Sequence, residues 1–418
     1  MILNDIYHIL QFGFLFLNGY LVSRLFIACG IADRIVRFFI ARSKGKISHI
    51  IVYIVFTTSI ISMFVPNFVT VLIILPLLEL LRKDFQHLEG EKRRLSTSFA
   101  MANLYGSNLG GTGSVTGSAL NVVFVGFILL KRIEGYNKID FLSWLSWGFP
   151  FVLLVAAIAC LLIVYVILPR ELIHRTIDFE NFVRKRKEYP HQRTGIVLSV
   201  ASFIFWVLLS SINEIKRGAL APYLTGLAAA YMVFFIAFAF LVPLREQPGG
   251  KKRTSVLTFK DLYASIPLKG FLLAVGVVGF SFLLFRLGID DLLSRLMASL
   301  LPPDPSPFLV ILCISGFSIF VSEFISNTTV IISLYVIAIS ICGAIGIHPL
   351  PVLLAVTICA NSACMTPVAS PVNAIAFAGV KGVNIKRMFL SGVLMDMAVV
   401  VCVTLLARFV IPGYYRLR

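Results

Sequence analysis

The chain has 418 residues, of which 58% are hydrophobic and only 14% are charged, whereas soluble domains average roughly 45–50% apolar and about 25% charged residues. Several apolar runs exceed the roughly 20 residues that cross a bilayer as a helix, so the composition excludes a soluble protein and indicates an all-α, polytopic membrane protein. The 37 Lys and Arg against 20 Asp and Glu give a net charge of +17. Because these basic residues stand in short segments between apolar runs, they form no basic domain of the kind that binds nucleic acid, and no nucleic-acid partner is expected.

Ten apolar segments follow one another along the chain, and two of them are too long for a single crossing. Each of these two has polar residues at its middle, Pro66-Asn67 in the first and Ser326-Asn327-Thr328 in the second. Both are predicted to be re-entrant hairpins, whose polar tips are tolerated at membrane depth only inside protein or beside water. The hairpins are 48–82 and 307–346, and about eight full crossings remain: 9–29, 96–130, 142–168, 194–212, 219–243, 265–287, 350–379 and 388–411.

Two of these crossings are interrupted at their centres. Residues 107–121 are rich in glycine, and residues 361–373 contain two prolines among small polar residues. Glycine and proline at this density end helices. Both crossings are therefore predicted to be broken helices with unwound centres.

The order helix, hairpin, broken helix, helix occurs twice. Asn67 and Asn327 are 260 residues apart, and residues 118–121 match 370–373 at a distance of 252. These similar offsets predict an internal duplication. An odd number of crossings separates the two copies, so the second copy is expected to be inverted, as in many secondary transporters. The predicted units are a first repeat at 1–168 (scaffold helix 9–29, hairpin 48–82, broken helix 96–130, helix 142–168), a basic cytoplasmic linker at 169–193, and a second repeat at 194–412 (scaffold helices 194–287, hairpin 307–346, broken helix 350–379, helix 388–411).

The basic residues predict the orientation. The loops on one side of this arrangement contain 25 Lys and Arg, and the opposite side contains 10. The positive-inside rule places the richer side in the cytoplasm and both termini outside it, in a plasma or inner membrane. Trp144 and Trp147, at the outer start of one crossing, are expected in the interfacial aromatic belt.

The polar centres predict the kind of ligand. The second arm of each hairpin and the second half of each broken helix begin beside these centres, which directs helix N-termini and their free N–H groups toward one region. Such a region suits an anion, and unwound carbonyls with Ser and Thr hydroxyls suit Na⁺. Neither broken centre contains Lys or Arg. The anion is therefore expected to be held by neutral donors and dipoles, with a bound cation balancing its charge.

Ser326-Asn327-Thr328 together with residues 366–378, and residues 108–121 in the first repeat, resemble the signature segments of the divalent anion/sodium symporters, the dicarboxylate, citrate and sulfate carriers of the ion transporter superfamily. The resemblance implies an elevator-type carrier and a homodimer, with Na⁺ as the coupling ion and no other cofactor. The substrate-binding residues that it implies are Asn67, Thr112, Ser118, Asn121, Ser326, Asn327, Thr328, Ser370, Pro371 and Asn373. The implied Na⁺ ligands are Ser326, Asn327, Ala369 and Asn373 in the second repeat, and Asn67 and Gly117 in the first.

The chain departs from this family's pattern in two ways. Its first hairpin tip reads Pro66-Asn67-Phe68 where the family has Ser-Asn-Thr, so the first Na⁺ site lacks two hydroxyl ligands. About three scaffold helices of the family also have no counterpart, which predicts either a late start at Met1 or a shortened member.

Two acidic residues lie within predicted spans. Glu323 stands three residues before Ser326, and an intramembrane carboxylate is a functional candidate by default. Two interpretations stay open: a proton carrier or cation ligand, or a partnered acid at the outer mouth of the hairpin. Asp396, in the last span, is expected to pair within the bundle.

Three functions are consistent with the sequence. The leading prediction is a secondary active transporter of small divalent anions, either di- or tricarboxylates or sulfate. The altered first tip and Glu323 support an alternative, a cation/proton antiporter or arsenite-type extruder, and the missing helices support another, a non-transporting membrane subunit or degenerate paralogue. An enzyme is not expected, because the sequence has no HExxH motif and no evident nucleophile–base pair.

Overall fold

The computed structural model describes residues 2–84, 92–176, 189–215, 220–245, 252–263, 305–380 and 382–417. Throughout these ranges the chain is almost entirely helical, with a single two-stranded ribbon. The predicted scaffold helix 265–287 lies outside the described residues. The elements are α1 (Ile2–Ala28), α2 (Ile31–Arg42), α3 (Ile47–Ser62), α4 (Asn67–Asp84), α5 (Lys92–Gly110), α6 (Ala119–Lys131), α7 (Phe141–Leu162), α8 (Arg170–Ile173), α9 (Gln192–Ile215), α10 (Ala221–Leu241), β1 (Leu244–Arg245), β2 (Arg253–Thr254), α11 (Phe259–Tyr263), α12 (Pro307–Ser322), α13 (Asn327–Ile345), α14 (Pro349–Ser362), α15 (Pro371–Gly379), α16 (Ile385–Leu405) and α17 (Ile411–Tyr414), with a 3₁₀ turn at Tyr136–Lys138 and π-helical turns at Ile163–Ile167 and Leu406–Val410.

Both predicted hairpins are present. Helices α3 and α4 are separated by the short tip 63–66, and α12 and α13 by the tip 323–326. The two broken helices are present too. The first runs through α5 and α6 with an unwound turn at 111–118, and the second through α14 and α15 with a turn at 363–370. The predicted all-α architecture with two hairpins and two broken helices is therefore confirmed.

Six helices in the described part of the chain are long and apolar enough to cross a membrane. Five of them coincide with predicted crossings, and the sixth is α13, the second arm of the second hairpin. The two broken helices account for two more of the predicted crossings. The six are Leu10–Ala28, Phe141–Ile167, Gln192–Ile212, Pro222–Leu241, Asn327–Ile345 and Ile385–Tyr414.

The two repeats use the same packing. The first arm of each hairpin lies along the first half of its own broken helix, α3 on α5 and α12 on α14. Contacts also cross between repeats, because α15 packs on α4 and α6 packs on α14. In the first repeat the helices approach at glycine: a Cβ on Gly106 would lie 1.7 Å from the Thr58 Oγ1. Small residues allow this kind of close packing between membrane helices.

Loop contacts divide the described loops into two groups. In the first group, Lys46 forms a β-bridge with Thr176, and the Asn384 amide donates to the Thr97 hydroxyl at 2.9 Å. In the second, the Lys138 ammonium donates to the Tyr415 carbonyl at 2.8 Å. The side of the membrane that each of these loops faces stays a prediction.

His348 caps α14 from the loop that precedes it. Its Nδ1 accepts the Leu350 N–H at 3.2 Å, and its Nε2 lies 3.8 Å from the Glu134 carboxylate. Burial lowers the pKa of His348 below its usual value, and this outweighs the opposing effect of Glu134. Because folding disfavours the protonated ring, the stability that His348 contributes is present above about pH 6.5 and is lost as the pH falls through the lowered pKa.

We expect the substitution His348→Asn to flatten this pH dependence. Asparagine keeps a cap acceptor but does not titrate. Thermal unfolding in detergent between neutral pH and about pH 5 measures the difference. Wild type should lose stability over this range by more than the variant, and parallel losses in the two proteins would contradict the assignment.

Candidate functional site

A buried hydrogen-bond network joins the first hairpin tip to both unwound turns. The Ser118 hydroxyl donates to Asn361 Oδ1 at 2.8 Å, and Asn67 Nδ2 donates to the same oxygen at 3.4 Å. Asn361 Nδ2 donates in turn to the Asn108 carbonyl at 3.4 Å. Asn108 Nδ2 completes the chain by donating to Asn373 Oδ1 at 2.9 Å. Asn67, Ser118 and Asn373, all predicted site residues, are therefore connected through hydrogen bonds. The connecting residues are Asn361 and Asn108, which lie in the last turns of the helices that precede the unwound turns.

Equivalent asparagines close the two turns. Asn121 Nδ2 donates to the carbonyls of Gly111 and Ser114, at 2.9 and 2.8 Å. Asn373 Nδ2 donates to those of Ala363 and Thr366, at 3.1 and 2.8 Å, and in both turns the acceptors stand 10 and 7 residues earlier. The same side-chain clamp is thus built twice, at positions 252 residues apart. Each clamp leaves only the amide oxygen for other partners.

The two clamp oxygens have different surroundings. Asn373 Oδ1 accepts from Asn108 and from the Ser370 hydroxyl at 2.9 Å. Asn121 Oδ1 is buried and has no hydrogen-bond donor among the described residues. The reason is that Ser118, which corresponds to Ser370, directs its hydroxyl to Asn361 instead. The amide oxygen of Asn121 is therefore free in the first turn, whereas that of Asn373 in the second turn is already hydrogen-bonded.

Carbonyl oxygens converge around Gly117 in the first repeat. A Cβ built at this glycine would lie 2.6 Å from the Gly111 oxygen and 3.0 Å from those of Ser62 and Met63. Any side chain here would collide with these oxygens. The predicted partner Asn67 lies at the same place: the Ser62 hydroxyl donates to its Oδ1 at 3.0 Å. This cradle of oxygens fits the chemistry of a Na⁺ site.

The second hairpin tip is separate from the network. Ser326 is partly exposed and its side chain makes no capping bond, and Thr328 is exposed. Asn327 Oδ1 is buried without a donor among the described residues. In the second turn, Ala369 is buried and Pro371 is the first residue of α15. At the second hairpin tip, the free amide oxygen of Asn327 is the group that is suited to bind a cation.

Thr112 and Trp144 form a support behind the first turn. The Thr112 hydroxyl donates to the Leu109 carbonyl at 2.7 Å, and its own carbonyl accepts from the Trp144 indole at 2.9 Å. Trp144 and Trp147 are 0% and 4% exposed, so the expected position of these two residues in an interfacial belt is wrong. A buried indole needs an acceptor. Trp144 finds it in the turn, and Trp147 finds it in the Tyr415 hydroxyl at 2.9 Å.

Glu323 holds the second turn. Its carboxylate accepts the N–H groups of Met365 and Thr366, each at 2.7 Å, and its carbonyl accepts the Thr366 hydroxyl at 2.7 Å. Glu323 is fully buried. It is therefore an acid with hydrogen-bond partners, and the predicted role as a proton carrier or cation ligand stays a prediction.

Asp396 pairs within the bundle, as predicted. Its Oδ1 accepts the Cys364 thiol at 3.0 Å, and its carboxyl lies beside the Glu323 carboxyl. Two acids from separate helices thus meet beside the second turn. Because Glu323 and Asp396 are 73 residues apart in the chain, their proximity could not be predicted from the sequence.

The polar centres contain no cationic side chain. Residues 62–68, 107–121, 322–328 and 361–373 include no Lys, Arg or His. An anion bound among them is held by amides, hydroxyls and the N-terminal ends of helices. Sequence reasoning missed Asn108 and Asn361 as partners, although each lies in the last turn of the helix that leads into an unwound turn.

Comparison with known proteins identifies the family of the chain. The profile of the citrate transporter family (CitMHS) matches residues 2–337 and 226–417. The chain is 24% identical over 422 residues to a sodium-dependent dicarboxylate transporter, SdcS, of Staphylococcus saprophyticus, covering 96% of this chain and 76% of that protein. It is 23% identical to the sodium-dependent high-affinity dicarboxylate transporter 3 of Caenorhabditis elegans (87% and 68% covered), and 24% identical to an uncharacterized transporter of Haemophilus influenzae (94% and 79% covered). The resemblance seen in the sequence motifs is confirmed, and the chain belongs to the citrate transporter family of membrane transporters.

Proposed function

We propose that the protein is a secondary active transporter of small divalent anions, di- or tricarboxylates or sulfate, and that Na⁺ drives the uptake. The observation that carries the proposal is the pair of asparagine-clamped turns joined through Asn361. Sodium-dependent dicarboxylate transporters among the relatives support the substrate class and the coupling ion.

The anion is held by neutral donors. Helices α6 and α15 start at serine caps, and Ser118 and Ser370 accept the Leu120 and Asn373 N–H groups at 3.3 and 3.2 Å. The remaining N-terminal amides of these half-helices carry the positive end of the helix dipole. The polar centres contain no basic side chain. Bound cations therefore neutralise the part of the divalent anion's charge that the helix dipoles do not balance.

Two groups of oxygens hold these cations. In the first repeat they are the carbonyls around Gly117 together with Asn67. In the second they are Asn327 Oδ1, Ser326, Ala369 and Asn373. A bound Na⁺ supplies positive charge next to the anion and orders the hairpin tip against the turn.

Transport in this proposal is elevator-like. The hairpins and broken helices form the moving body, and α1, α9 and α10 belong to the scaffold. The two units 1–168 and 194–412 are inverted copies joined by the linker 169–193. The loops with 25 basic residues face the cytoplasm, the termini lie outside, and two copies of the chain associate as a homodimer.

Uptake into liposomes tests the function. The purified chain is reconstituted and given an inward Na⁺ gradient, an inward H⁺ gradient or none, with labelled succinate, citrate or sulfate outside. We expect uptake of at least one divalent anion that requires the Na⁺ gradient. The same chain should be stabilised against thermal unfolding by the transported anion only when Na⁺ is present.

The same panel separates the alternatives. A cation/proton antiporter, which the buried pair Glu323 and Asp396 favours, would move protons out against Na⁺ without any anion. A non-transporting subunit would show neither uptake nor stabilisation by any of the three anions. Uptake of none of them by folded protein would overturn the proposed substrate class.

A further inference from the structure

The second hairpin and the second turn are connected by a carboxylate that the first repeat lacks. In both repeats a turn hydroxyl donates to a tip carbonyl: Ser114 donates to Met63, and Thr366 donates to Glu323. Only the second repeat adds two N–H bonds from the turn to the side chain at the tip. In the first repeat the corresponding side chain is the methyl-ended Met63, which packs against Gly113.

Glu323 uses both carboxyl oxygens as acceptors. Oε1 accepts the Met365 N–H and Oε2 accepts the Thr366 N–H. Two backbone donors aimed at the two oxygens of one carboxyl are best satisfied by the ionised form, because charge-assisted hydrogen bonds are the stronger ones. The geometry therefore assigns the negative charge of this pair to Glu323.

Asp396 has a different set of partners. Its Oδ1 accepts one weak donor, the Cys364 thiol. Its Oδ2 is buried and accepts no hydrogen bond from the described residues, while the carboxyl lies beside that of Glu323. A buried, unsatisfied carboxylate oxygen beside another carboxylate is unfavourable. A proton on Asp396 removes the difficulty, because Oδ2–H then donates to Glu323.

We propose that Asp396 is a proton-binding residue that, in its neutral form, donates to the Glu323 carboxylate and thereby fixes the second turn against the second hairpin tip. Glu323 and Asp396 are positioning residues: they lie behind the proposed Na⁺ and anion ligands and act through the turn. The pair binds a single proton. The other titratable groups near it are Tyr105 of α5, whose hydroxyl lies beside Ser391, Cys364 of the turn, and Cys359 of α14.

Infrared spectroscopy of the purified protein tests the proton directly. Wild type at neutral pH should show the C=O stretch of a buried protonated carboxyl, and Asp396→Asn should remove that band. Asp33→Asn is the matched control, because Asp33 lies 2.9 Å from Arg37 on α2, away from the Glu323 and Asp396 pair, and it should leave the band unchanged. Absence of any band that Asp396→Asn removes would overturn the proposal.

Uptake by three variants tests the positioning role and rests on the proposed function. Asp396→Asn keeps a neutral donor of the same shape and should retain most of the wild-type uptake, whereas Asp396→Leu should lose roughly tenfold or more. Glu323→Gln should also lose uptake. The glutamine NH₂ group would replace one of the two carboxyl oxygens and cannot accept the Met365 or Thr366 N–H group that this oxygen accepts. Equal damage from Asn and Leu at position 396, in folded protein, would contradict the proposed donor.

The infrared experiment and the uptake experiment can fail separately. If wild type transports none of the tested anions, the proposed function fails, while the infrared band still decides whether Asp396 is protonated. If uptake occurs but the band is missing, the proton assignment alone is wrong. In the variants, the KM for Na⁺ should rise more than the maximal rate falls, because a loosened turn weakens cation binding.

Discussion

Replacing Asn361 with leucine is expected to abolish anion uptake by a protein that still folds. The change preserves the shape of the side chain but removes the acceptor shared by Ser118 and Asn67 and the donor to the Asn108 carbonyl. Each buried polar group left without a partner costs about 1–3 kcal/mol. Because these groups connect the first hairpin tip to both turns, we expect uptake to fall by roughly 100-fold or more.

The measurement is the initial rate of uptake in liposomes, normalised to folded protein from size-exclusion chromatography. Asn103→Leu is the matched control, since Asn103 is also buried, on α5, and donates to the Val71 carbonyl at 3.1 Å, outside the network. This control should lower stability while retaining most of the uptake per folded molecule. If both variants lose uptake to the same extent, the connection through Asn361 has no special role.

The hairpins and the broken helices could be predicted because their signals are local. Pro66-Asn67 and Ser326-Asn327-Thr328 interrupt apolar runs that are too long for one crossing, and dense glycine or proline marks each unwound turn. The match between Asn121 and Asn373 was also visible in the sequence, at an offset of 252 residues. The structure shows what the match encodes: the same pair of carbonyl contacts in each repeat.

The connections between segments could not be predicted. Asn361 and Asn108 each lie in the last turn of a helix before an unwound turn, but nothing local indicates that each bonds to the other repeat. Glu323 and Asp396 were recognised separately as intramembrane acids, and only the packing of α12, α14 and α16 brings them together. Trp144 illustrates the opposite error, because tryptophans at the ends of spans often face the interface, whereas this one faces inward to satisfy the Thr112 carbonyl.

The two predicted repeats differ chemically where tip and turn meet. Both repeats share the asparagine clamp and the bond from a turn hydroxyl to the tip backbone. In the first repeat the Met63 side chain lies between the hairpin tip and the turn, whereas in the second repeat the Glu323 carboxylate occupies this position. The two predicted repeats thus share the asparagine clamp and the bond from turn hydroxyl to tip backbone, and Met63 and Glu323, at equivalent positions, make them chemically different.

Gly106→Ala is expected to disrupt the packing of α3 against α5 in the first repeat. The new Cβ would lie 1.7 Å from the Thr58 Oγ1 and 2.6 Å from the Val55 carbonyl oxygen, so α3 and α5 must move apart. Overpacking of this kind costs about 1–3 kcal/mol and occasionally more. Because α3 and α5 lead directly to the hairpin tip and the first turn, both stability and uptake should fall.

Thermal unfolding in detergent and uptake in liposomes measure the two effects. Gly126→Ala on α6 is the control, since a Cβ there meets nothing within 4 Å and alanine favours a helix over glycine by about 0.5–1 kcal/mol. Adding Thr58→Ala to Gly106→Ala removes the nearest clashing atom but leaves the Val55 carbonyl, so rescue should be partial. A Gly106→Ala protein as stable as the Gly126→Ala control would mean that α3 and α5 do not pack at this distance. The close contact of the two helices, and the carbonyl cradle at Gly117 that depends on it, would then be wrong as well.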